Sequence, residues 1–394
     1  MSRGWTVAWY RPVRICLVYD CLYPYTIGGA ERWYRNLGER LAAEGHEVTM
    51  LTLRQWARGE RAEVEGVDVV AVGPRMELYV EGRRRILPPL VFGAGVLWHL
   101  LRHGQRYDVV HTASFPYFSL LAAGLMRPLR RFGLVVDWHE VWSREYWREY
   151  LGRAGGWLGA AVQRLCARIP QRAFAFSRLH AGRVRDEGVR GQVTLLEGEY
   201  RGELTARGPQ PGEPVVVFAG RHIPEKRVPA LVPAIARARA SAPELTCDVY
   251  GDGPDRAAVE AAVREHGLED VVRVHGFVDG DVVDGALSRA LCLALPSRRE
   301  GYGLVVIEAA SRGTPSVVVA GPDNAATELV DEGANGVVSR SADADDLAAA
   351  ILAVRAGGPA LREATAAWFD ANAERLSLES SLETVLGYYA SARS

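Results

Sequence analysis

The chain of 394 residues contains a single lysine, Lys226, against 46 arginines, and it closes the segment Gly220-Arg221-His-Ile-Pro-Glu-Lys226. A sequence that uses arginine wherever a surface cation serves has a reason to keep an ammonium here. A compact point charge and a planar fork grip anions differently. The segment follows an apolar run at 215–219 and leads into a helical pattern. Cations near a helix start are disfavoured by about 0.3–1 kcal/mol each unless an anion lies between them. Gly220, Arg221 and Lys226 therefore read as a clamp for a pyrophosphate.

A second cluster lies downstream, in Pro296-Ser-Arg-Arg-Glu300-Gly-Tyr302-Gly303-Leu304-Val-Val-Ile-Glu308. The Glu-x(7)-Glu spacing also occurs at Glu31/Glu39 and Glu39/Glu47, but only Glu300/Glu308 brackets a glycine-rich turn entering a helix. Gly301 and Gly303 would let backbone approach a ligand, and the N–H groups of Gly303 and Leu304 would be unused donors. Glu300 precedes the helix and Glu308 lies about one and a half turns into it, so they would serve different parts of one extended ligand. Carboxylates accept charge-assisted hydrogen bonds from sugar and ribose hydroxyls. Together the two clusters describe a site for a sugar joined to a diphosphate.

Other chemistries lack their residues. Trp98 stands where a glycine after Gly93 and Gly95 would complete a dinucleotide fingerprint, and neither Gly-Lys-Ser/Thr nor Gly-x-Ser-x-Gly occurs. Asp279-Gly-Asp281 has the form of a metal-binding D-x-D, but it sits where aspartates cap a helix start. Five cysteines, never paired as C-x-x-C, argue against a zinc knuckle or a disulfide frame. Residues 1–12 lack the apolar core of a signal peptide, and the longest apolar run, 89–101, is shorter than the ~20 residues a bilayer span needs. A cytoplasmic location is the expectation.

Such residues need strand ends aimed at one place. Apolar runs at 14–19, 47–53, 67–72, 108–111, 134–137, 173–176 and 193–196 alternate with helical patterns. A polar Gly/Pro-rich stretch at 203–214 interrupts them, and the alternation resumes from 215 to 338. The pattern predicts an α/β protein with two Rossmann-like domains, their mostly parallel sheets facing across a cleft. The expected division is 1–205, 206–375 and a C-terminal helix over 376–394 that packs back on the first domain. The halves differ in character: residues 1–208 carry net charge +9 and residues 209–394 carry −10, and nine of the ten tryptophans precede residue 209.

The Glu300/Glu308 block, with the Gly220–Lys226 segment upstream and Gly251-Asp-Gly-Pro254 and His275-Gly-Phe277-Val278 between them, resembles the family-4 retaining glycosyltransferases of the GT-B fold. Gly28-Gly29-Ala-Glu-Arg matches that family's N-terminal loop, and the resemblance runs from about residue 14 to 390. It implies that Arg221 and Lys226 hold the donor diphosphate and that Glu308 binds ribose hydroxyls. Glu300, with the backbone at Tyr302, Gly303 and Leu304, would hold the transferred sugar and phosphate. Backbone at Phe277 and Val278 would meet the nucleobase, and Gly28 and Gly29 would approach the diphosphate from the opposite wall. His139, in Asp137-Trp-His-Glu140, matches the family's reactive-centre histidine, with His111 as its rival.

The resemblance implies hexosyl transfer from a nucleoside-diphosphate sugar, UDP-linked by preference, to a hydroxyl with retention. No cofactor is expected and no metal, because two cations take its place; the catalytic set is His139, Glu300, Arg221 and Lys226. A nucleotide-sugar epimerase and a non-catalytic nucleotide-binding protein stay open as alternatives. The family's Pro-Asn-Gly-Val-Asp appears here as Leu196-Glu-Gly-Glu-Tyr200 and a histidine common after His111 as Ala113, so the acceptor is not carried over. Two acceptor classes compete: a small molecule or saccharide, and a lipid-linked acceptor at the inner membrane face. For the second, residues 83–106 supply arginines followed by an apolar run, a pattern suited to peripheral contact with anionic lipid. No nucleic-acid motif is present.

Overall fold

The computed structural model describes residues 12–26, 28–80, 83–208 and 212–391. The first eleven residues and 209–211, within the expected 203–214 linker, lie outside the described residues.

In chain order the first domain runs β1 (Arg14–Val18), α1 (Gly29–Ala43), β2 (Glu47–Leu53), β3 (Val67–Gly73), a two-residue pair β4 (Tyr79–Val80) and β5 (Arg83–Arg84), and α2 (Leu87–His103). It continues β6 (Val109–Ala113), α3 (Tyr117–Arg130), β7 (Gly133–Trp138), α4 (Arg144–Ala167), β8 (Arg172–Ala175), α5 (Arg178–Asp186) and β9 (Val193–Leu195). Seven strands form a parallel sheet ordered β3-β2-β1-β6-β7-β8-β9. Strands such as β1 and β6 are buried throughout or nearly so, which is why they read as unbroken apolar runs. The order reverses at β1/β6, so the C-terminal ends of these strands open a crevice.

The second domain runs β10 (Val215–Ala219), α6 (Leu231–Arg239), β11 (Thr246–Tyr250), α7 (Arg256–Glu265), β12 (Val272–Gly276), α8 (Gly280–Arg289) and β13 (Cys292–Leu295). Then follow β14 (Arg299–Glu300), α9 (Leu304–Ala310), β15 (Ser316–Val319), β16 (Asp323–Asn324), β17 (Gly336–Ser339) and α10 (Ala344–Leu376). Its sheet is ordered β12-β11-β10-β13-β15-β17, and β14 pairs with β16 beside it. Helix α11 (Leu378–Ser391) returns to the first domain, where Leu378, Leu382, Val385 and Tyr389 join its core.

The chain crosses between domains earlier than the Gly/Pro-rich composition suggests. Tyr200 bridges to Ser377 and packs on Phe369 of the second domain, while Ala206 and Arg207 already donate backbone hydrogen bonds to Asp370 and Ser311. The crossing is at 197–200, where Gly198 is essential: a Cβ there would lie 1.8 Å from the Ser377 carbonyl oxygen. The 203–208 stretch is polar because it runs exposed over the second domain, not because it is a hinge.

Candidate active site

Lys226 and Glu300 meet. The Nζ lies 2.5 Å from Oε1, and the same oxygen accepts from Ser297 Oγ at 2.7 Å. Glu300 is buried and Lys226 half-buried, so the ammonium is fixed at the C-terminal end of the second sheet with donors to spare. Arg221, five residues earlier, is exposed, and no hydrogen bond or ion pair is shown for its side chain among the described residues. Its field nevertheless reaches Glu31 on the opposite wall. Gly220 follows β10, and its carbonyl oxygen lies so close to Gly251 that a Cβ there would meet it at 1.9 Å.

The second wall is the N-terminus of α1. Gly28 occupies the cap in extended conformation, and the Glu31 carboxylate folds back so closely over it that a Cβ would meet Oε2 at 2.3 Å. Glu31 is the third residue of the helix and lays an acidic group in its first turn, where the helix dipole favours it. Gly29 lines a cavity of about 260 Å³ between the domains, together with Arg32 from α1, Leu304 and Glu308 from α9, and Arg312 just after α9. Burial raises the Glu308 carboxyl, with Arg32 and Arg312 opposing it. The Arg312 guanidinium is ion-paired with Asp284 and donates to the Glu308 carbonyl, so the Glu308 carboxylate keeps its capacity to accept hydroxyl donors.

Between the walls stands His139. Its ring stacks on Phe176 at 4.2 Å with planes 16° apart, and its Nε2 is buried with no hydrogen-bond partner among the described residues. Burial lowers its pKa more than the neighbouring Asp137 and Glu140 raise it, so the imidazole is neutral at pH 7. His111 is placed differently. It is fully buried, with Nε2 2.8 Å from Asp137 Oδ1 and Nδ1 2.5 Å from the Tyr389 hydroxyl. Both ring nitrogens are spent inside the core, and Trp33 Nε1 donates to the other Asp137 oxygen at 2.7 Å.

The glycines of the Glu300 block are glycines for a reason other than ligand approach. At Gly301 a Cβ would lie 3.0–3.2 Å from the His139 carbonyl and the Glu140 side chain of the opposite domain. Gly303 has φ 106° and sits 2.7 Å, measured from an added Cβ, from Ala326. The first allows the domains to close and the second allows the turn into α9. The N–H groups of Gly303 and Leu304 nonetheless have no acceptor among the described residues. Tyr302 turns its hydroxyl away, donating to the Glu197 carbonyl at the crossing. Phe277 is exposed and Val278 half-buried, and neither lines the cavity.

The domains are clasped beside this site. Arg299 ion-pairs with Glu140 at 3.0 Å, Tyr146 donates to Glu225 at 2.6 Å, and Arg298 pairs with Glu149 at 2.5 Å. Burial alone would raise the Glu140 carboxyl; Arg299 and His180 offset it and hold it below the usual range. Asp279 occupies the cap of α8 but makes no side-chain capping bond.

Sequence reasoning missed Arg32, Arg312 and Glu199. The arginines gave no signal in a chain so rich in them. Glu199 lines the cavity opposite Gly29, with Oε2 3.9 Å from where a Gly29 Cβ would be. Burial, with help from Asp137, pushes its carboxyl up to about 7. Its only signal was the departure from Pro-Asn-Gly-Val-Asp, which puts a carboxyl where that motif has valine.

Two facing Rossmann-like domains with this cleft define a GT-B transferase. Family profiles described as "Glycosyltransferase Family 4" and "Glycosyl transferases group 1" match residues 27–198 and 203–367. The chain belongs to the family-4 glycosyltransferases and is a glycosyltransferase of GT-B type. It is 26% identical over 369 residues to glycogen synthase of Mycobacterium tuberculosis, covering 87% of this chain and 86% of that one. Its fold matches sucrose-phosphate synthase from Thermosynechococcus elongatus with TM-score 0.79 at 20% identity, over 96% and 98% of the two chains. It also matches Anabaena HepE, solved with UDP and glucose, with TM-score 0.72 at 19% identity over 96% and 100%.

Proposed function

We propose that the protein transfers a hexosyl group from a UDP-sugar to a hydroxyl of a small molecule or saccharide, with retention and without a divalent ion. The observation that carries this reading is the shared cavity. Gly29 and Arg32 face Leu304, Glu308 and Arg312 across it; the Lys226–Glu300 pair and His139, with its unpartnered Nε2, do not line it, but Gly301 brings the Glu300 turn against the His139 carbonyl. HepE, a protein of the same fold, was solved with UDP and glucose, which favours uridine over other bases.

In this reading Arg221 and Lys226 meet the charge that develops on the leaving diphosphate, aided by the free N–H groups at Gly303 and Leu304. Preorganised donors of this kind usually supply the largest single contribution to catalysis. Glu308 accepts from the ribose hydroxyls. Glu300, held by Lys226 and Ser297, accepts from the sugar, and neutral His139 bonds a sugar hydroxyl through Nε2. No side chain is placed as a nucleophile; the leaving phosphate takes the acceptor's proton on the face it departs from, which retains configuration. Incubation with UDP-, GDP- and dTDP-hexoses plus an acceptor panel, read by nucleotide release with and without EDTA and by the product's anomeric NMR coupling, tests it. Release from UDP-hexose alone, unchanged by EDTA, with retained configuration is expected. Inverted product or dependence on Mg²⁺ overturns it.

A lipid-linked acceptor is a second reading, favoured by the exposed apolar helix faces of the first domain.

A further inference from the structure

Three successive crossover helices, α2, α3 and α4, pack side by side on one face of the first sheet, and their outer sides are apolar. On α2, Leu87, Leu90, Trp98 and Leu101 recur at helical spacing and are all exposed, Trp98 by 55%. On α3, Leu125 and Leu129 stand one turn apart with 61% and 64% exposure. On α4, Trp157 is 74% exposed, with exposed Leu158 next to it and exposed Leu165 about two turns on. Scattered exposed leucines are ordinary, but two tryptophans and a run of leucines on adjacent helices are a patch.

Charge decides what the patch fits. Helices α2 and α3 contain no acidic residue, and residues 86–136 hold five arginines against one acid, Asp108. From 150 to 185 there are seven arginines and no acid. The two acids of α4, Glu145 and Glu149, lie in its first two turns, where Glu149 is occupied by Arg298 at the cleft. Arg102 lies over the Trp98 ring at 3.6 Å, a cation and an amphipathic aromatic at one level. No helix among the described residues is long and apolar enough to cross a membrane, so the face can lie on a bilayer but not span it.

The basic triplet expected to lead this contact is not its centre. Arg84 turns inward to ion-pair with the buried Asp20 and lies over Phe115, and the Arg83 side chain is outside the described residues.

We propose that the outer face of α2, α3 and α4 docks the protein on an anionic phospholipid bilayer. Trp98 and Trp157 seat at the headgroup level, and Arg102, Arg131 and Arg168 meet lipid phosphates. The leg that carries Trp157 is distinct from the one at the cleft: α4 breaks at Gly152, with φ 72°, and folds back until Gly156 packs on Arg148, while its first two turns carry Tyr146 and Glu149, which hold the second domain. The docking stands independently of the transfer reaction.

Co-sedimentation of the full chain with phosphatidylglycerol/phosphatidylethanolamine vesicles and with phosphatidylcholine vesicles, at low and high salt, tests it. Binding to the anionic vesicles is expected, weakened at least tenfold by salt and absent on phosphatidylcholine. Wild-type tryptophan fluorescence should shift to the blue on the same vesicles. A Trp98→Ser/Trp157→Ser variant and an Arg102→Ser/Arg131→Ser/Arg168→Ser variant should each bind at least tenfold more weakly with melting temperatures unchanged. Absence of binding at low salt, or equal binding by the variants, overturns the proposal. So does a lipid-free dimer that the tryptophan variant makes monomeric, because the patch would then be a contact between copies of the chain.

Discussion

The two domains share an architecture and use their charge in opposite ways. The second domain carries net −10 over its half of the sequence, yet it gathers Arg221, Lys226, Arg298, Arg299 and Arg312 along the cleft-facing end of its sheet. The first carries +9, yet its outer helices hold most of that surplus, and its cleft wall shows Glu31, Glu140, Glu199 and a neutral His139. Net charge of a domain therefore says little about its site. What matters is whether the cations stand at strand ends, where a ligand must pass, or on outer helices, where only a surface can meet them.

Substitutions on each wall sharpen that contrast. The largest effect is expected on the second domain: Lys226→Arg should lower kcat at least tenfold, equivalent to ~1.4 kcal/mol of transition-state stabilisation. A guanidinium fork cannot take the ammonium's place against the buried Glu300 and still offer the same donors, and near-normal turnover would remove Lys226 from the reacting centre. Glu308→Gln should raise the donor KM about fivefold and spare kcat, since it removes the charge and turns one of two acceptor oxygens into a donor, remote from the bond that breaks. A parallel fall in kcat would place Glu308 nearer the sugar than the ribose.

On the first domain the effects are smaller and fall on stability. Tyr389→Phe removes a buried hydrogen bond to His111 and should cost about 1 kcal/mol, read by urea titration. Activity per folded molecule should be unchanged, and a large loss of turnover would return His111 to the site. Glu199→Gln tests the carboxyl at about 7. The unfolded chain ionises near 4.3, so between there and 7 the native state holds the extra proton and stability falls as pH rises. Above 7 the loss is complete. The variant lacks this slope: it should melt like the wild type near pH 4 and higher at pH 8, by about 2–4 °C for each kcal/mol recovered. Equal melting temperatures at pH 8 would show that Glu199 carries no such penalty.

The alternation of strands and helices and the residues of the second wall were legible because contiguous motifs carry them. Gly220 to Lys226 and Glu300 to Glu308 are each a single strand-turn-helix step, so spacing in sequence is spacing in the site. The first wall is assembled from distant pieces. Sequence spacing could not tell His139 from His111, and what separates them in the structure is Tyr389, which comes from the far end of the chain. Trp and Tyr enrichment in this half likewise had three readings, and the residues divide among them. Trp33 and Trp138 are core, Trp142 and Tyr146 meet edge to face under Arg299 at the cleft, and Trp98 and Trp157 face outward. The glycines at 301 and 303 were identified by type but not by purpose, because the groups that fill their space, His139 and Ala326, are remote or in a later turn.

The return of α11 sets the order in which the protein can be finished. His111 lies at the centre of the first domain, and the hydroxyl that closes its hydrogen bond arrives 278 residues later. At roughly 5–20 residues per second of synthesis, that interval is about 14–56 s. Leu382, Val385 and Tyr389 cover the same core, so the half that leaves the ribosome first waits with an open flank until the second half has been made. The core of the first domain is thus completed only after the second half has been made.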